Sequence, residues 1–242
     1  MMLLSLYFSI VFSFILGRKR DIRADSRELI EHREPKPEIR NMELIPKGGP
    51  FLVTLNHYSR PGFFILWAAV AISAALPRPS IWLMTSAWTS RTGGIDRLRT
   101  WLTHMIFSRQ AEIYSLVTMP PMPPAPGDSA ERALSIRRLL QSIRADKDAI
   151  VCIAPEGMDF PEGELGVPHP GTGKLLLQIA NKTHRVLPVG VFEDDGRLVI
   201  RFGNPYELHI KEGQVDLDLA VADQVMRKIA ELLPEGMRGV YG

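Results

Sequence analysis

Three short runs of almost wholly apolar residues, Phe51–Leu55, Ala149–Ala154 and Val186–Phe192, constrain the fold of this chain more than any other feature. Each is too short for a helix, and the first is bounded upstream by Lys47-Gly-Gly-Pro50, so they read as buried strands. Helix-like stretches feed the other two. Ser129–Arg144 is amphipathic, with Leu134, Ile136, Leu139, Leu140 and Ile143 inward, and leads into the second run. Gly173–Asn181 leads into the third. Ile81–Thr85 is a further strand. Arg197–Phe202 alternates like a strand with one wet face, after an Asp194-Asp195-Gly196 turn that predicts a hairpin. Asp96–Phe107 and Asp216–Leu233 read as helices. Strands alternating with helices make an α/β chain: one layered domain with a mixed, mostly parallel sheet flanked by helices.

The N-terminus is different. Residues 1–16 are almost all apolar and are followed at once by Arg18-Lys19-Arg20. With no basic segment ahead of the run and no small-residue cleavage site, a cleaved signal is not expected. The run is short for a span of about 20 residues. Residues 1–20 are therefore expected to be an apolar anchoring helix with a basic border, held at the cytoplasmic face of a membrane peripherally or by partial insertion. A buried core helix is the alternative. Residues 21–47 suit a surface helix, Ala24–Arg33, and a linker broken by Pro35, Pro37 and Pro46.

Composition narrows the function. Lys and Arg number 29 against 27 Asp and Glu, a net charge of +2, which gives no basis for binding nucleic acid. Cys152 is the only cysteine, so an intrachain disulfide and a cysteine-based zinc site are both excluded. The histidines lack metal-ligand spacing, and no metal or cofactor is expected. Gly171-Thr-Gly-Lys174 fails as a phosphate loop because Pro168 and Leu175 stand where Gly and Ser or Thr belong.

His57 is the first candidate for chemistry. It leaves the end of the Phe51–Leu55 strand, and Pro61 suits the first turn of a following helix. That helix, Phe63–Leu76, is apolar on every side and is stopped by Pro77. It is a central core helix or one wall of an acyl-chain site. A lone histidine at such a place is more often a structural residue than a base. Two more turns change that balance, because the second strand runs into Pro155-Glu156-Gly157 and the third carries Leu187-Pro188-Val189.

In this order the blocks Gly48-Gly49-Pro50, Asn56-His57, Ala154-Pro155-Glu156-Gly157 and Leu187-Pro188-Val189 resemble the glycerolipid acyltransferases, which include the 1-acylglycerol-3-phosphate acyltransferases. The ending Leu232-Leu-Pro-Glu-Gly-Met-Arg-Gly-Val-Tyr241 looks like bacterial members. The likeness spans about residues 40–242 and marks 48–242 as the acyltransferase-like domain. It implies transfer of a fatty acyl group from acyl-CoA or acyl carrier protein to a hydroxyl of a lysolipid, with membrane lipid as partner and His57 as general base. Glu156 and Gly157 would contribute to the acceptor site, Arg60 would grip an acidic acceptor, and Asn56 would tie the turn.

The sequence departs from the family at three places. Gly62 stands where an aspartate follows the histidine, Met158-Asp159 replaces Thr-Arg, and the expected upstream arginine falls in a proline loop at 118–126. Asp159, ahead of Glu156, is then the expected carboxylate partner of His57. A helix beginning near Pro61 would place N–H groups and a positive dipole end beside the base. The rival functions are a lipid-binding protein of the same fold without turnover, and a hydrolase acting on thioesters or lipids.

Overall fold

The computed structural model describes the chain apart from residues 1, 61, 62, 64, 89–93, 123, 124, 126, 159, 161, 162 and 211–214, and apart from the side chains of 2, 3 and 94–97. Seven strands are described: β1 (Glu38–Arg40), β2 (Phe51–Leu55), β3 (Ile81–Thr85), β4 (Val117–Met119), β5 (Ile150–Ile153), β6 (Arg185–Asp194) and β7 (Arg197–Phe202). They form one sheet in the order β1-β7-β6-β2-β5-β3-β4. All neighbours are parallel except the β6–β7 hairpin. Seven helices accompany them: α1 (Met2–Leu16), α2 (Ile22–Glu31), α3 (Leu66–Ala75), α4 (Gly94–Tyr114), α5 (Asp128–Ala145), α6 (Thr172–Thr183) and α7 (Leu217–Ala230).

The apolar runs are explained by coverage of both faces. Phe51, Val53 and Leu55 of β2 point into a core made with α3, whereas Leu52 points into the core under α5, α6 and α7. In β5, Ile150 and Cys152 share the first core, and Val151 and Ile153 the second. A central parallel strand has no wet side, so its sequence does not alternate.

Helix α6 begins inside Gly171-Thr-Gly-Lys174, and its N-terminus is already occupied. The Asp218 carboxylate of α7 accepts from the N–H groups of Gly171 (2.5 Å) and Lys174 (2.8 Å). Gly173 is required by this crossing, since a methyl group there would lie 1.9 Å from the Asp218 carbonyl oxygen.

Two expectations need correction. Residues 38–40, read as part of a linker, form edge strand β1 beside β7. Helix α3 starts at Leu66 rather than near Pro61. Before it, Phe63 N–H bonds the Arg60 carbonyl at 3.0 Å, and the Tyr58 and Phe63 rings meet edge to face at 5.0 Å. The basic border also makes contacts within the fold. Arg20 forms two 2.6 Å bonds to the buried Asp25, which also accepts from the Tyr114 hydroxyl at 2.7 Å. Lys19 bonds the Glu112 carbonyl of α4 at 2.5 Å. In return, Arg109 of α4 bonds the terminal carbonyls of α1, Phe14 at 2.7 Å and Ile15 at 2.9 Å. Arg109 thus satisfies carbonyls at the C-terminal end of α1, and Lys19, three residues beyond that helix, satisfies one in the last turn of α4, groups that have no partner within their own helix.

Candidate active site

Strands β2 and β5 are adjacent and parallel, but the chain leaves them toward opposite faces. After β2 it passes to α3 on one side, and after β5 to α6 on the other. A crevice opens where such connections diverge at the carboxyl ends of strands. At this divergence His57, half-buried, follows β2, and Glu156, 1% exposed, follows β5.

Glu156 reaches His57 through the backbone. One carboxylate oxygen accepts the His57 N–H at 2.5 Å and the other accepts the Gly166 N–H at 2.7 Å. A buried carboxylate needs such donors, because burying it unsatisfied would cost several kcal/mol. The carboxylate therefore ties the first residue after Asn56 to the turn beyond β5. Gly157 follows with φ of +69°, a conformation that favours glycine, and its N–H bonds the Ala154 carbonyl at 3.2 Å.

The other side of the His57 segment is held by β6. The buried Asn56 amide forms two bonds to Val191, donating to its carbonyl (2.8 Å) and accepting from its N–H (2.7 Å). Two residues on, Glu193 accepts the Tyr58 hydroxyl at 3.0 Å and the Arg60 guanidinium through both oxygens, one of these bonds being 2.7 Å. Arg60 draws the Glu193 carboxyl below its usual range, with Tyr58 adding to the effect. Burial first, and then the Glu193 carboxylate, push the Tyr58 hydroxyl up. The stabilisation from Glu193 is present above the ordinary carboxylate range and is lost as pH falls through its depressed value.

Of the residues singled out from sequence, Asn56, His57, Arg60, Glu156 and Gly157 lie together at this end of the sheet. Asp159 lies outside the described residues. Helix α3 begins at Leu66, nine residues after His57. Sequence reasoning passed over Tyr58 and Glu193. The available signal was strand parity: Glu193 occupies the same face of β6 as the buried Val189 and Val191, an unusual place for an acid. No group of three or more His, Cys, Asp or Glu that would suit a metal ion occurs among the described residues.

Residues 36–191, a span that includes β2, β5, His57 and Glu156, match the family model described as Acyltransferase. The chain belongs to the acyltransferase family. Its fold is also that of a solved relative, the 1-acyl-sn-glycerophosphate (LPA) acyltransferase PlsC from Thermotoga maritima. The TM-score is 0.51 and the identity 17%, over 95% of this chain and 94% of that one. No protein of curated function matches the sequence. The crevice of this acyltransferase therefore sits inside the matched span, and the α6 and α7 layers complete the same architecture.

Proposed function

We propose that this acyltransferase moves a fatty acyl group from acyl-CoA or acyl carrier protein to a hydroxyl of a lysolipid, with His57 as general base. The observation that carries the reading is the position of His57 just beyond the carboxyl end of β2, its backbone fixed by the buried Glu156 from beyond the end of β5. In the reaction the acceptor hydroxyl gives its proton to the imidazole as its oxygen attacks the thioester carbonyl. The tetrahedral oxyanion then collapses, the C–S bond breaks, and the leaving thiolate takes the proton from the imidazolium. Histidine suits both steps because its ordinary pKa lies near neutral pH. Asp159 remains the proposed partner of the imidazole.

The test is incubation with labelled acyl-CoA or acyl carrier protein and a panel of lysolipids, read by mass spectrometry. An acylated lysolipid is the expected product. Release of free fatty acid without an acylated lipid would instead identify a hydrolase. Retained lipid with no turnover would identify a binding protein, the outcome favoured by Gly62 in place of the family aspartate.

A bilayer surface suits the same protein. Among the described residues no helix is long and apolar enough to cross a membrane. Helix α1, 15 residues, measures about 22 Å at 1.5 Å per residue, short of the roughly 30 Å hydrocarbon core. Yet it exposes Leu4, Phe8, Phe12 and Ile15, and α4 exposes Leu98 and Trp101. The two helices meet where Phe14 and Ile15 face Met105 and Arg109 across a shallow groove. Exposed apolar area of this kind would be removed from water by insertion into one leaflet of a membrane. Leu4→Glu with Phe8→Glu, at positions 62% and 71% exposed, should abolish flotation with phospholipid vesicles and leave the thermal midpoint within about 2 °C, as surface changes usually do. Undiminished flotation would place the lipid contact elsewhere.

A further inference from the structure

The cation nearest to His57 in sequence is Arg60, and its guanidinium is already engaged. Glu193 closes on it with both carboxylate oxygens, while the Tyr58 hydroxyl donates to the same carboxylate. The Glu193 side chain is 17% exposed, and Arg60 is 47% exposed. The acid is thus set into the wall, and the cation lies over it at the surface. Among the described residues a further charged neighbour of Glu193 is Arg33, stacked over the Trp67 ring at 4.0 Å. An arginine fork bonded in this bidentate way has its geometry matched and its charge neutralised. An incoming phosphomonoester would have to displace a carboxylate that is anchored by a third donor.

We propose that Glu193 determines acceptor specificity: by closing the Arg60 fork it withdraws that cation from the acceptor, so that lysolipids with neutral or zwitterionic headgroups are used in preference to phosphomonoesters. This rests on acyl transfer to a lysolipid as the reaction. Arg60 then stiffens the segment carrying His57 instead of gripping an anion.

The test compares kcat/KM for lysophosphatidate with kcat/KM for lysophosphatidylcholine in the parent, in Glu193→Gln and in Glu193→Gln/Arg60→Gln. The parent should favour lysophosphatidylcholine. Glu193→Gln should raise the ratio of the two by about tenfold, the size of one charge-assisted hydrogen bond gained by a phosphate. Adding Arg60→Gln should return the ratio to that of the parent. A parent preference for lysophosphatidate, or an unchanged ratio in folded Glu193→Gln, overturns the proposal. So does a rise that persists in the double variant, which would assign the effect to Arg33. If Glu193→Gln alone fails to fold, the double variant decides. A ratio within about twofold of the parent supports a fork that was out of use, and a tenfold fall shows that Arg60 was already holding the phosphate. If the parent acylates neither lipid, the acyl-transfer reading fails separately. Calorimetric titration of the same variants with short-chain forms of both lipids then gives the same ratio as dissociation constants.

Discussion

Replacing His57 with alanine should abolish acyl transfer and leave the fold unchanged. The fold uses His57 through its backbone, whose N–H donates to Glu156 at 2.5 Å, and alanine keeps that N–H. The imidazole is what the substitution removes. Loss of a general base slows such reactions by about 10²–10⁴-fold, and with a hydroxyl acceptor the residual rate should approach background. The thermal midpoint should move by no more than about 2–4 °C, the equivalent of 1 kcal/mol in a chain of this size. Turnover with labelled acyl-CoA and a calorimetric scan of both proteins decide the matter. Full activity in the variant would remove His57 from the mechanism.

Glu156→Gln should have the second largest effect, and of a different kind. Both Glu156 oxygens accept backbone N–H groups, from His57 and from Gly166. A glutamine presents an NH2 group to one of them, donor against donor, in a side chain that is 1% exposed. An unsatisfied buried group costs about 1–3 kcal/mol, so the thermal midpoint should fall by about 2–12 °C. Activity should fall through kcat, because the segment carrying the base loses its tether. A residue that only bound the acceptor would behave oppositely, raising KM at an unchanged midpoint. The two readouts together separate these roles.

The elements legible in the sequence are those whose burial leaves a pattern. Central strands β2, β5 and β6 are covered on both faces and read as unbroken apolar runs, and the β6–β7 hairpin was marked by its Asp-Gly turn. The edge strands were not legible. Glu38–Arg40 and Val117–Met119 are three residues each at the two borders of the sheet, and neither carries a full apolar run. The start of α3 was misplaced because Pro61 suits a helix start on its own merits, whereas the helix here begins at Leu66. At the site, residue types and order were legible, but the direction of the carboxylates was not. Glu156 bonds a backbone group 99 positions away, and Glu193 one side chain 135 and another 133 positions away. No local periodicity encodes pairings of that range.

The reciprocal fastening of α1 and α4 has a mechanical consequence. A hydrophobic helix on a slack linker would moor the catalytic layers to a bilayer while letting them tumble above it. Here the far end of α1 is bolted to α4 by Arg109 and Lys19, and α4 runs through a single turn into β4 at the border of the sheet. A membrane that holds α1 therefore holds the whole sheet at one tilt. If α1 is the membrane contact proposed above, the ends of β2 and β5 would be presented to the lipid at a fixed height and angle.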